Sequence, residues 1–119
     1  MPDTEDKPVK TADEKALPKK GYIYIIRCTD NSLYTGITTN PKRRIAEHRQ
    51  KTQKSAKYMR GRTILSVEAI FSVSDLKCAG TIEYKIKRML KADKERVIDG
   101  TYIPDFLSGV KREEADKII

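Results

Sequence analysis

Three observations predict an α+β fold, a small three-stranded antiparallel-type sheet flanked by helices in the order β-β-α-β-α-α. Three stretches are dense in aromatic and β-branched residues, at 21–28, 33–38 and 62–73. Helix-capping residues follow the second and third of them, at Asn40 and at Ser74 or Asp75. Apolar residues then recur at helical spacing, as in Ile82, Ile86 and Met89. A chain of 119 residues and 13.6 kDa has room for one modest core.

In chain order, "MPDTEDKPVKTADEKALPKK" at 1–20 holds five acids, five lysines and hardly any large apolar side chain. Too little surface can be buried there to offset the ordering entropy, so the segment is expected to be a disordered tail. "GYIYIIRC", "TDNS" and "LYTGIT" read as strand, turn and strand, a β-hairpin. Asn40 as cap and Pro41 at the first helical position open a helix expected to run to about Lys51. Residues 52–61 lack a period and are expected to form a basic loop.

"RTILSVEAIFSV" gives the third strand, its apolar residues too closely set for clean alternation, as near a sheet centre or a bulge. "LKCAGTIEYKIKRMLK" is the second long helix, and a shorter one is expected from Asp93 to Ile98, ending at Gly100. The compact domain is placed at 21–100, and 101–119 is a C-terminal extension in which a helix is expected from near Asp105.

The 25 Lys and Arg exceed the 17 Asp and Glu, a formal charge of +8, and the neutral tail leaves all of it on residues 21–119. Such a field favours polyanions without choosing among DNA, RNA, acidic lipid and acidic protein. Between positions 42 and 62 stand Lys42, Arg43, Arg44, Arg49, Lys51, Lys54, Lys57, Arg60 and Arg62 against Glu47 alone, with Tyr58 interleaved as a stacking candidate. These residues, with Lys87 on the second long helix, are expected to contact nucleic acid. Cys28 and Cys78 lack metal-ligand spacing and are expected to be reduced thiols. No apolar run approaches the roughly 20 residues that span a bilayer, and the N-terminus lacks a hydrophobic signal core. A soluble cytoplasmic protein with no membrane partner and no organic cofactor is expected.

Tyr24, Tyr34, Arg44 and His48 form the candidate constellation. Arg44 and His48 are four apart on a helix and leave from one face. Gly36, two after Tyr34, permits a close approach inside a strand. Each residue taken singly has an ordinary reading: tyrosines that pack, a solvated basic helix face, and a Glu83–Lys87 pair at favourable i, i+4 spacing. Glu83 could equally serve as a magnesium ligand, since that ion is often held by one or two protein carboxylates.

Together they resemble the GIY-YIG nuclease superfamily, most closely its small single-domain bacterial members. "YIY" at 22–24 stands for G-I-Y and "YTG" at 34–36 for Y-I-G, with Tyr22 in place of the first glycine and Thr35 in place of the apolar middle residue. Arg44, His48 and Glu83 follow in family order, and "KYMRGR" at 57–62 and "EYKIKRMLKADKE" at 83–95 look typical of the bacterial subgroup.

The resemblance implies a divalent-metal-dependent endonuclease acting on DNA, structure-selective or weakly sequence-selective, of a kind used in repair or recombination. It also implies one Mg2+ or Mn2+ on Glu83, Arg44 on the scissile phosphate, Tyr24 orienting or deprotonating water, and Tyr34 and His48 assisting. A non-catalytic nucleic-acid-binding module on the same fold is the alternative, and a basic domain for an acidic protein partner is a third. The shared site carries a geometric condition. Tyr24 and Tyr34 lie on one sheet face only if paired residue numbers have an even sum, which requires an odd-length hairpin loop or a bulge.

Overall fold

The computed structural model describes residues 19–50 and 62–119. The expected N-terminal tail, but for Lys19 and Lys20, and the expected basic loop with Lys54, Lys57, Tyr58 and Arg60 lie outside the described residues. The elements are β1 (Gly21–Cys28), β2 (Leu33–Thr38), α1 (Pro41–Gln50), β3 (Ile64–Val73), α2 (Leu76–Lys87), α3 (Lys91–Asp99), a 3-10 turn (Asp105–Leu107), β4 (Lys111–Glu113) and α4 (Ala115–Ile118). The sheet is antiparallel throughout, in the order β2-β1-β3-β4.

The sheet therefore has four strands, not three, and the helix expected from Asp105 is replaced by the 3-10 turn, β4 and the four-residue α4. Gly109, in the left-handed region at φ 82°, interrupts any helix there. β4 has no apolar period, because "KRE" is an edge strand held by polar contacts. Ser72 Oγ donates to Glu113 at 2.6 Å, and Arg112 donates to the carbonyls of Val97 at 3.2 Å and Glu68 at 3.1 Å.

β1 is the central strand and its alternation sorts the core into two layers. Ile23 and Ile25 face Ala79, Ile82 and Ile86 of α2 and Val97 of α3. Tyr24, Ile26 and Cys28 face Ile45 of α1, with Ala115 and Ile118 of α4 beside them. β3 carries the expected irregularities: its register against β1 shifts between Ile25 and Ile26 and again between Arg27 and Cys28.

Side chains cap the long helices as their sequences predict. Asn40 Oδ1 accepts from the Arg43 amide at 3.1 Å, and Asp75 Oδ1 from the Cys78 amide at 2.8 Å. α3 begins two residues earlier than expected and ends at Gly100, φ 85°.

Arg27, at the end of β1, ties three elements together. It donates to Glu68 of β3 at 3.2 Å, to both carboxylate oxygens of Glu95 on α3, and to Asn31 of the hairpin turn at 2.8 Å. The Arg27 hydrogen bond holds the Glu95 carboxyl down at about 2. A depressed carboxyl stabilises the fold fully above its ordinary pKa and loses that contribution as pH falls through the folded value. Denaturant melts should therefore show Glu95→Gln costing stability near neutral pH, with the gap to the parent closing as pH falls from about 4.5 towards 2. Arg27→Met, which leaves two carboxylates without their cation, should cost about 1–2 kcal/mol, discounted for solvent screening; an unchanged midpoint would contradict the anchoring role.

Candidate active site

The hairpin meets the condition that sequence imposes. The Asn31 amide donates to the Cys28 carbonyl at 2.8 Å, the Cys28 amide donates to the Ser32 carbonyl at 2.9 Å, and Asn31 takes the left-handed conformation at φ 70°. This is the three-residue loop built of a type I turn and a left-handed residue. Its odd length pairs Ile26 with Tyr34 and Tyr24 with Gly36, both even sums, so the two tyrosines share a face.

Gly36 is where the site is made compact. A Cβ at this position would overlap the Tyr24 hydroxyl and its ring carbon, so the phenol lies across the cross-strand glycine. The close approach that Gly36 permits is made by Tyr24 itself. α1 closes over this face through Ile45 and brings two polar side chains with it. Tyr24 Oη and His48 Nε2 are 2.9 Å apart, and both residues are 1% exposed. The three rings pack mutually, with centroids 6.2 Å apart for Tyr24 and Tyr34, 5.8 Å for Tyr24 and His48, and 5.6 Å for Tyr34 and His48.

Arg44 stands one turn before His48, close enough to the Tyr24 phenol to act on it both as a charge and as a hydrogen-bond donor. Glu47 orients it, accepting from Arg44 Nη1 at 2.8 Å while also lying 3.8 Å from Arg43 Nε. The role of Glu47 escaped the sequence reading, although its i, i+3 spacing from Arg44 could have signalled it. Lys42 and Arg43 are exposed on α1, and Arg62 pairs with Asp30 of the hairpin turn at 3.3 Å.

Glu83 arrives from α2, which covers the opposite sheet face. It forms the expected pair with Lys87, at 3.2 Å, and it also acts electrostatically on both phenols. Lys87 Nζ lies 5.7 Å from the centre of the Tyr34 ring. The site thus joins side chains from β1, β2, α1 and α2. Glu83 contributes a single carboxylate, and no group of three His, Cys, Asp or Glu suited to a metal occurs among the described residues. That donor set suits a hard cation that keeps most of its coordination sphere as water and substrate oxygen, and not a thiolate- or imidazole-bound zinc.

Burial dominates the protonation states. It pushes the Tyr24 phenol far above the ordinary phenol range, with Tyr34 adding to the rise and Arg44 opposing it. Tyr34 rises for the same reason, opposed by Lys87 and Arg44. Burial, reinforced by the Arg44 charge, pushes His48 down to about 4. The resting site at neutral pH is two neutral phenols and a neutral imidazole, bordered by Arg44 with its Glu47 partner and by the Glu83–Lys87 pair.

Sequence comparison gives the family. Residues 20–96 match the GIY-YIG catalytic domain, and the chain belongs to that family, part of a nuclease superfamily. Its relatives include the UPF0213 protein YhbQ of Salmonella arizonae, 46% identical over 77 residues, 65% of this chain and 75% of that protein. The YhbQ protein of Escherichia coli O1:K1 / APEC is 37% identical over 94 residues, 78% of this chain and 92% of its own length. The solution NMR structure of the UPF0213 protein BH0048 from Bacillus halodurans is 34% identical and covers 75% of this chain and 93% of that one, with a TM-score of 0.45. No helix among the described residues is long and apolar enough to cross a membrane.

Two measurements test this geometry. His48 is the chain's only histidine, so its single imidazole resonance should titrate near 4, not near 6.5. Because the folded value is lowered, the neutral ring favours the fold above pH 6.5, and that contribution is lost as pH falls from 6.5 towards 4. Gly36→Ala should cost about 1–3 kcal/mol in denaturant melts by displacing the Tyr24 ring; an alanine variant as stable as the parent would mean the phenol does not lie where the glycine admits it.

Proposed function

We propose that the chain is a divalent-metal-dependent endonuclease that hydrolyses DNA phosphodiester bonds, selecting substrates by structure more than by sequence. The observation that carries this reading is the buried hydrogen bond between Tyr24 and His48, with Arg44 beside it, within the span that matches the family. A buried phenol with a raised pKa is a poor base on its own. It can instead relay a proton. With the ring proton on Nδ1, His48 Nε2 accepts from the Tyr24 hydroxyl, and Tyr24 Oη can then accept a proton from the attacking water as its own passes to His48. No free phenolate has to accumulate.

Arg44, permanently charged and held by Glu47, offers planar donors to the non-bridging oxygens of the scissile phosphate and to the charge that develops there. Its engagement with a phosphate also relieves its electrostatic pressure on His48, which makes the imidazole a better proton acceptor when substrate is present. Glu83 is the residue that would hold a divalent cation of the magnesium or manganese kind, which when bound supplies Lewis-acid charge to the phosphoryl oxygens. Tyr34, against both Tyr24 and His48, fixes the rings and keeps bulk water from the relay. Lys42 and Arg43, on the outer face of α1, offer contacts to flanking phosphates, and Lys54, Lys57, Tyr58, Arg60 and Arg62 extend the basic run.

The test is cleavage of a labelled panel of branched and linear DNA, with matched RNA, in the presence and absence of magnesium or manganese. The parent should cut DNA only with metal. Glu83→Ala and Arg44→Ala should each lower the rate by roughly 100-fold or more, with Glu83→Ala binding within about twofold of the parent. If the parent binds DNA without cutting any member of the panel, the fold serves as a binding module; if both variants cut as fast as the parent, these residues are not the site.

A further inference from the structure

Beyond the residues around Tyr24, one surface of α2 combines an exposed aromatic ring with uncompensated positive charge. Tyr84 is 62% exposed and belongs to neither core cluster. Arg88, one turn on, places its guanidinium 5.5 Å from the Tyr84 ring centre and donates to the Tyr84 hydroxyl at 3.4 Å. Residues 76–88 carry four cations, Lys77, Lys85, Lys87 and Arg88, against the one carboxylate of Glu83. The face begins at the site, since Lys87 touches both Glu83 and the Tyr34 ring and stands one turn from Tyr84.

Resting on the reading of the site as a phosphodiesterase, we propose that this face of α2, with Lys94 of α3 beside it, receives an unpaired nucleic-acid strand flanking the scissile phosphate, Tyr84 stacking on one of its bases.

The charges on α3 support the path. Lys91 and Arg96 pair with Glu95 at 3.2 Å and Asp93 at 3.3 Å, whereas Lys94 has no ion pair among the described residues. Burial and the Lys87 charge both work against protonation of Lys94. A phosphate bound beside these lysines favours their charged forms. An unpaired strand fits better than a duplex because a ring on a convex helix can stack only on a base face that no neighbouring base covers. Arg88 backs the ring, which limits the side-chain freedom lost on stacking.

The experiment is fluorescence anisotropy in EDTA, so that no strand is cut, comparing a blunt hairpin duplex with the same duplex carrying a single-stranded oligothymidine overhang. The parent should prefer the overhang substrate. Tyr84→Ala should weaken that complex by roughly tenfold and leave blunt-duplex binding within about twofold, and Tyr84→Phe should restore the preference. Lys94→Gln and Arg88→Gln should each lower the slope of log affinity against log salt by about one phosphate contact. Equal binding of the overhang substrate by Tyr84→Ala and the parent overturns the stacking face while leaving the cleavage reading intact. A parent that binds neither substrate overturns both. Displacement of the strand by polyglutamate as readily as by oligothymidine overturns the assignment of a nucleic-acid strand.

Discussion

The site depends on one steric fact, the placement of the Tyr24 ring over Gly36. The hydroxyl of Tyr24 reaches His48 because the facing strand has no Cβ in its way. That opposition is set several residues away, at the hairpin turn, where the left-handed Asn31 closes a three-residue loop and fixes an even pairing sum. One residue more or less in the turn would send Tyr34 to the face beneath α2 and move Leu33 and Ile37 out of that layer to the face beneath α1. The chemistry proposed for this chain thus begins with turn geometry.

Enclosure then determines the charge state. In water a tyrosine, a histidine and an arginine at this spacing would titrate almost independently. Here desolvation outweighs every neighbour at Tyr24 and His48, raising one and lowering the other, so that both groups rest neutral beside the Arg44 guanidinium. For the relay proposed here, neutral groups beside a fixed cation leave that cation's field for an incoming anion. A preformed imidazolium in the same place would oppose the developing proton transfer.

The strands and capped helices were legible because each had a local cause: β-branched runs, Asn40 with Pro41, Asp75 before an apolar period, Gly100 at a helix end. β4 was not, since "KRE" joins the sheet through contacts of Ser72, Phe71 and Glu68 with residues some forty positions away, which no window of sequence contains. The meeting of Tyr24, Tyr34, Arg44 and His48 could be framed beforehand only as a parity condition and a helix spacing. Glu47 shows what that framing lacked, and Gly36, already expected to permit a close approach, lacked its partner. Their parts come from what they touch, the guanidinium of Arg44 and the ring of Tyr24, and partners are a property of the packed layers.

The layering also explains where Glu83 stands. α1 and α2 cover opposite faces of the sheet, so side chains from both can meet only around an edge, and β2 is the edge strand on that side. A constellation assembled around a sheet edge is a seam and not a chamber. Enclosed pockets suit small ligands that can be surrounded. A seam leaves room for a substrate to continue past the reacting atoms in two directions, along α1 on one face and along α2 on the other. The exposed cations on its two sides, Lys42 and Arg43 on α1 and Lys87 with Arg88 at the end of α2, suit the polyanionic strand proposed for this chain.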